Sequence, residues 1–192
     1  MLAAQAGDHP AALRHAAASL EHRGDESARV ARLTASPPEP FDALSAVGDA
    51  VDTIQADFTR GVAQEARFVG GLGSPLVIGH RERFVLALVN LLRNALQANA
   101  GSASVTMELL DDPGSAELTL HVDDDGDGIA LAHRRAIFEP GFSRREGGSG
   151  HGLALVREVI EGEMRGSVAC SDGPSGGARF TLRIPCERVE AL

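Results

Sequence analysis

Lysine, tryptophan and tyrosine are absent from this 192-residue chain, and cysteine occurs only twice. Without lysine there is neither a P-loop lysine nor a lysine-dependent eukaryotic-type kinase site, because all 18 basic residues are arginine. Cys170 and Cys186 lack C-x-x-C spacing and nearby histidine pairs, which excludes a zinc site, and two cysteines are too few for a disulfide scaffold. No run approaches the roughly 18 apolar residues of a membrane span. The Ala-rich start also lacks the basic, strongly apolar and small-residue order of an export signal. These absences predict a cytoplasmic chain without membrane contact of its own, even where a longer parent is membrane-anchored. Positive charge is scarce too: 18 basic against 27 acidic residues give a net charge of -9, which repels a phosphate backbone, so nucleic acid is not an expected partner.

What is present suffices for one domain with a short appendage, since 43% of the residues are hydrophobic. Ala11 to Leu33 is rich in good helix formers, broken at Gly24 and Asp25, and Pro37, Pro38 and Pro40 then stop any helix. This divides the chain into a helical segment, 1–36, and a domain over 41–187. In the latter, Asp42 can cap a helix in which Leu44, Val47, Val51, Ile54 and Phe58 recur at helical spacing. Strand-like ARFVGGL and LVIGH follow, then a helix from Arg81 to Asn99, and a hairpin of SVTMELL and AELTLHV around DDPGS. An acidic glycine loop, a short helix through Ala136, a polar glycine-rich loop, a helix from Leu153 to Glu163 and a last hairpin around DGPSGG complete the pattern. Helices among mostly antiparallel strands predict an α+β sandwich, one sheet covered by helices on one face.

Four segments can carry chemistry. In NLLRNALQA, Asn90 and Asn94 stand one helical turn apart with Gln97 on the same stripe, and Val85, Leu88, Leu92 and Leu96 opposite. An amide oxygen is a hard ligand suited to Mg²⁺ when phosphates supply the remaining charge, although this is also the pattern of a solvated polar face. VDDDGDGIA resembles the opening of an EF-hand, but Arg134 occupies the position of the bidentate glutamate, so calcium is not expected. A carboxylate at a strand end can instead accept from an exocyclic amine, with Gly126 and Gly128 admitting a flat ring; alone, it is also an acidic turn. IFEPGFS then passes through Arg144 and Arg145 into GGSGHGL, where Gly147, Gly148, Gly150 and Gly152 precede a helix, as at a phosphate site or in a surface loop.

In this order the segments resemble the ATP-binding domain of two-component histidine kinases, in the gyrase, Hsp90, histidine kinase and MutL superfamily. NLLRNALQA is similar to its asparagine box, DDGDGI to its adenine box, FEPGFS to its phenylalanine box, GGSGHGL to its second glycine box and GGARFTLRIP to its closing strand with the last glycine box. The resemblance implies a two-layer α/β sandwich of the Bergerat type with a mixed sheet. It implies ATP and Mg²⁺ as cofactors, Asn94 on the metal, Asn90 supporting the phosphates and Asp124 on the adenine amine. Gly126 and Gly128 would shape the base pocket, Phe138 and Phe142 anchor a short lid, and Arg145 stand near the γ-phosphate. Gly148, Ser149, Gly150, His151, Gly152, Leu153 and Thr181 would complete the nucleotide site. Asp125, Gly141, His151 and Arg145 depart from the family pattern, the last replacing an ammonium by a planar fork.

The implied activity is phosphoryl transfer from ATP to a histidine of a phosphoacceptor domain, and onward to a response regulator, with homodimerisation through the N-terminal helices or an upstream region. The alternatives are a non-catalytic ATP-binding pseudokinase module and an anti-sigma-factor-type serine kinase. His9, His15 and His22 are followed by Pro10, Ala16 and Arg23, unlike the acceptor box, so the chain is expected to bind ATP without appreciable self-phosphorylation.

Overall fold

The computed structural model describes residues 37–58, 65–69, 75–98, 102–112, 115–143 and 149–188. The chain divides between Pro37 and Pro38 into two compact units, and the described elements belong to the second. The expected helical segment 1–36, with its three histidines, lies outside the described residues.

β1 (Glu39–Asp42) is a strand where the prolines predicted only a linker. It pairs antiparallel with β3 (Pro75–Gly79) at the edge of the sheet, where Pro40 can be accommodated despite having no N–H. Asp42 then caps α1 (Ala43–Phe58) as its position predicts: its Oδ1 accepts the N–H groups of Leu44 at 2.8 Å and Ser45 at 3.3 Å. Ala43, Val47, Ala50 and Ile54 recur on the buried face of α1. β2 (Glu65–Val69) follows, and β3 leads into α2 (Arg81–Leu96), which buries Phe84, Leu88, Leu91 and Leu92. α2 stops short of Asn99, with Gln97 and Ala98 forming a turn.

β4 (Ser102–Asp112) and β5 (Ser115–Asp124) form the expected hairpin. Two 3₁₀ turns, Leu131–His133 and Ala136–Phe138, replace the single short helix. α3 (Gly152–Arg157) is followed by β6 (Ser167–Asp172) and β7 (Ala178–Arg188). The sheet order is β1-β3-β7-β5-β4-β2, with β6 also on β7. β2 runs parallel to β4 and the other described pairs are antiparallel, so the sheet is mixed. β7 ties it together: one edge pairs with β5, while the other pairs first with β6 and then, at Glu187 and Arg188, with β3.

Side-chain alternation divides the sheet faces. Leu118, Leu120, Val122 and Asp124 of β5 and Ala178, Phe180, Leu182 and Ile184 of β7 are buried and in register on the face that packs on the helices. His121, Asp123, Arg179, Thr181 and Arg183 belong to the opposite face.

The expected helix over 153–163 changes character midway. After Arg157 it continues as a π turn, Glu158–Glu163, in which the Met164 N–H reaches the Val159 carbonyl at 3.0 Å. Glu158 and Glu163 both reach Arg83 of α2, which is only 2% exposed, and Glu163 also lies 2.8 Å from His80 Nδ1. The wider turn lets residues five apart share one cation.

Candidate functional site

The polar stripe of α2 meets the glycine-rich segment at one point. Asn90 Nδ2 donates to the Leu86 carbonyl at 3.0 Å, which turns the NH₂ side of the amide back onto the helix. Its Oδ1 then lies against Gly152, where an added Cβ would sit 3.1 Å from that oxygen. The uncapped first-turn N–H groups of α3 therefore begin beside an amide oxygen. Asn94 is half-buried one turn further along α2. An amide oxygen near a helix start fits a hard cation shared with phosphate oxygens, and Asn90, with Asn94 one turn along the same helix, would be the residues to hold Mg²⁺ and its phosphates.

Gly150 and Gly141 close the base of the intervening segment. Both have positive φ, +65° and +82°, and the Gly141 N–H donates to the Gly150 carbonyl at 3.0 Å. A Cβ on Gly150 would lie 2.4 Å from the Gly141 carbonyl carbon, so backbone closure explains this glycine as well as flexibility does. Ser149 and His151 are exposed; His151 makes no side-chain cap, and its carbonyl accepts the Leu155 N–H at 2.9 Å. Leu153 is half-buried and packs against the core. Arg144, Arg145, Gly147 and Gly148 lie outside the described residues.

At the far end of β5 the aspartate run separates by parity. Asp123 forms a double hydrogen bond with Arg179, 2.6 and 2.7 Å, across the β5–β7 pair. Asp124, on the helix-facing side and 4% exposed, accepts the N–H groups of Gly126 and Ala178, both at 3.0 Å and both on Oδ1. Both bonds fall on Oδ1, so they hold that side of the carboxylate and neither engages Oδ2. Asp125 and Asp127 are exposed. Gly126 has a reason the sequence did not show: a Cβ there would lie 2.3 Å from the Ala98 carbonyl at the end of α2. Gly128, at φ +70°, lies under the carbonyls of Gly176 and Gly177.

Phe138 is buried edge-on to Phe180 with centroids 6.1 Å apart, so it is anchored to β7. Phe142 is half-buried and tilted against His133 at 6.0 Å. Glu139 is held by Arg157 of α3, whose hydrogen bonds and charge pull its carboxyl below the usual range. Thr181 is a correction: it faces away from the helices, with its Oγ1 3.0 Å from His121 Nδ1, because its place in β7 puts it on the sheet face opposite Asp124. The residues of β7 and its turn that do touch Asp124 are Gly177 and Ala178. Both lie in GGARFTLRIP, the segment similar to the family's last glycine box, but nothing local singles them out as site residues.

Asn90, Asp124, Phe138, Gly152 and β7 all fall within residues 79–188, which match the family of histidine kinase-, DNA gyrase B-, and HSP90-like ATPases. The chain belongs to this ATPase family. Among curated relatives it is 31% identical over 129 residues to the signal transduction histidine-protein kinase AtoS of Escherichia coli strain K12, covering 66% of this chain and 21% of that one. The first curated relatives are all much longer, the matched regions covering 16 to 26% of them. The structure of the mycobacterial sensor histidine kinase MprB is similar at a TM-score of 0.65 and 25% identity, over 79% of this chain and 99% of that one. Full-length ShkA in complex with AMPPNP shares the fold at a TM-score of 0.73 and 23% identity, over 100% of this chain and 41% of that one. The ATPase region is thus an ATP-binding catalytic domain of the sensor histidine kinase type. Among the described residues no helix is long and apolar enough to cross a membrane.

Proposed function

We propose that this ATPase domain binds Mg·ATP and donates the γ-phosphoryl group to a histidine of a helical, dimeric phosphoacceptor domain, which in turn serves a response regulator. The observation that carries the reading is the meeting of Asn90 Oδ1 with Gly152 at the start of α3. An amide oxygen beside helix N–H groups that no side chain caps supports the reading, because a metal-bound triphosphate needs both kinds of group.

In this reading Asp124 accepts the adenine amine at one end of the site. Asn90 and Asn94 hold the metal and phosphates at the other, and the α3 amides neutralise phosphate charge. Mg²⁺ would supply charge neutralisation across the phosphate oxygens. No side chain of the domain forms a covalent bond. Its residues fix the γ-phosphoryl group for in-line attack by an imidazole nitrogen, and positioning with charge stabilisation is the main demand of such transfer.

The test is incubation of the chain with radiolabelled ATP and Mg²⁺, alone and with a separately supplied helical-hairpin phosphoacceptor dimer. Acid-labile label on the hairpin supports the reading. Acid-stable label indicates a serine kinase, and ATP binding without transfer indicates a pseudokinase. Acid-labile label on the chain alone, abolished by His15→Gln or His22→Gln, would place the acceptor within residues 1–36.

A further inference from the structure

We propose that Gly177 and the backbone N–H of Ala178 are the device that sets base selectivity, by holding the Asp124 carboxylate in one orientation. The inference rests on the reading of Asp124 as the base contact and adds the residues that position it.

Two adjacent glycines end the β6–β7 turn, and they are glycine for different reasons. Gly176 has φ +94°, and an added Cβ there would meet nothing within 4 Å, so it serves the path of the turn. Gly177 does not have a positive φ, but its Cβ would lie 2.1 Å from the Asp124 carbonyl oxygen and 2.4 Å from Asp124 Oδ1. The turn is closed by its own backbone, Gly173 N–H to Gly177 carbonyl at 2.8 Å and Gly176 N–H to Gly173 carbonyl at 3.2 Å. It therefore presses residue 177 onto the carboxylate as a preformed unit.

The next residue completes the clamp. The Ala178 N–H donates to Asp124 Oδ1 at 3.0 Å, and the Gly126 N–H donates to the same oxygen at 3.0 Å from the other side. With both donors on Oδ1, the carboxylate cannot rotate without losing two hydrogen bonds at a site only 4% exposed. Oδ2 is then presented as an acceptor in a fixed direction. It matches a base with an exocyclic amine there and opposes one with a carbonyl oxygen, so the ligand selected is an adenine nucleotide over a guanine nucleotide. Gly177 and Ala178 act through Asp124 and are positioning residues.

The experiment measures binding of ATP, GTP and inorganic triphosphate, each with Mg²⁺, by calorimetry on the full chain. Gly177→Ala is expected to weaken ATP about tenfold or more and to bring the ATP-to-GTP ratio close to one, while triphosphate, which has no base, binds as before. Gly176→Ala, which strains the same turn without reaching Asp124, is expected to keep the wild-type ratio. Replacing the Ala178 amide by an ester removes the N–H without adding a side chain, weakens the Gly177 carbonyl only as an acceptor, and is expected to lower the ratio in the same direction; it decides the matter if Gly177→Ala does not fold. A folded Gly177→Ala protein with the wild-type ratio, a parallel fall in triphosphate affinity, or an ester variant with an unchanged ratio overturns the proposal. A wild-type chain that binds triphosphate but shows no gain with ATP overturns the reading of Asp124 instead.

Discussion

The N–H of Gly141 donates to the carbonyl of Gly150 at 3.0 Å, and both residues sit at positive φ. This pair fixes the distance between the phenylalanine-containing segment and the start of α3. Gly150→Ala adds a Cβ 2.4 Å from the Gly141 carbonyl carbon and strains a left-handed backbone. The expected result is a loss of about 1–3 kcal/mol in stability, read by urea unfolding, and weaker Mg·ATP binding by calorimetry.

Asn94→Ala should leave the fold intact, because the buried side of α2 is carried by Phe84, Leu88, Leu91 and Leu92. Its ATP affinity should lose dependence on Mg²⁺. Titration with ATP in the presence of Mg²⁺ and of EDTA reads this directly, and an unchanged difference between the two would remove Asn94 from the metal.

Asp124→Asn keeps an oxygen for the N–H groups of Gly126 and Ala178 and turns an amide NH₂ towards the base. A donor there opposes the adenine amine and suits a carbonyl oxygen. Selectivity should shift from ATP towards GTP by about tenfold or more, one mismatched buried hydrogen bond being worth roughly 1–3 kcal/mol. Competition binding with the two nucleotides checks it.

Arg83→Met should destabilise the domain more than an ordinary surface change. The guanidinium is 2% exposed between Glu158 and Glu163, and its loss leaves Glu163 with His80 but without its buried cation. The expected cost is about 2–4 kcal/mol, below the full value for a buried pair because Glu158 is 62% exposed. Hydrogen exchange should locate the loosening in the π turn Glu158–Glu163.

Burial pushes the Cys170 thiol from 9.0 up to about 11. The unfolded chain loses this proton near pH 9 and the folded chain does not. The thiol's contribution to stability is therefore present below pH 9 and lost as pH rises towards 11. In a Cys186→Ser background, maleimide labelling at pH 9 should be slow in the folded protein and fast in urea. Equal rates would show that the thiol is not shielded.

The amino-acid sequence determined α1 and α2 and their buried stripes, because periodic apolar residues and a capping Asp42 are local signals. Helix-forming NLLRNALQA and the β4–β5 hairpin were legible for that reason, and the ordered segments carried the family resemblance. Only the tertiary structure decided what each unperiodic residue does. Within Asp123, Asp124 and Asp125 nothing local separates an ion pair from a buried acceptor; the register of β5 on β7 gives Asp123 to Arg179 and turns Asp124 to the helices. The same register carries Thr181 to the far face. The glycines look alike in sequence, yet Gly126 yields to Ala98, Gly150 to Gly141, Gly152 to Asn90 and Gly177 to Asp124. Gly150 answers to the closure of its own loop, while the other three are close approaches between segments distant in the chain, which local periodicity does not encode and which exist only once the strands and helices have packed together.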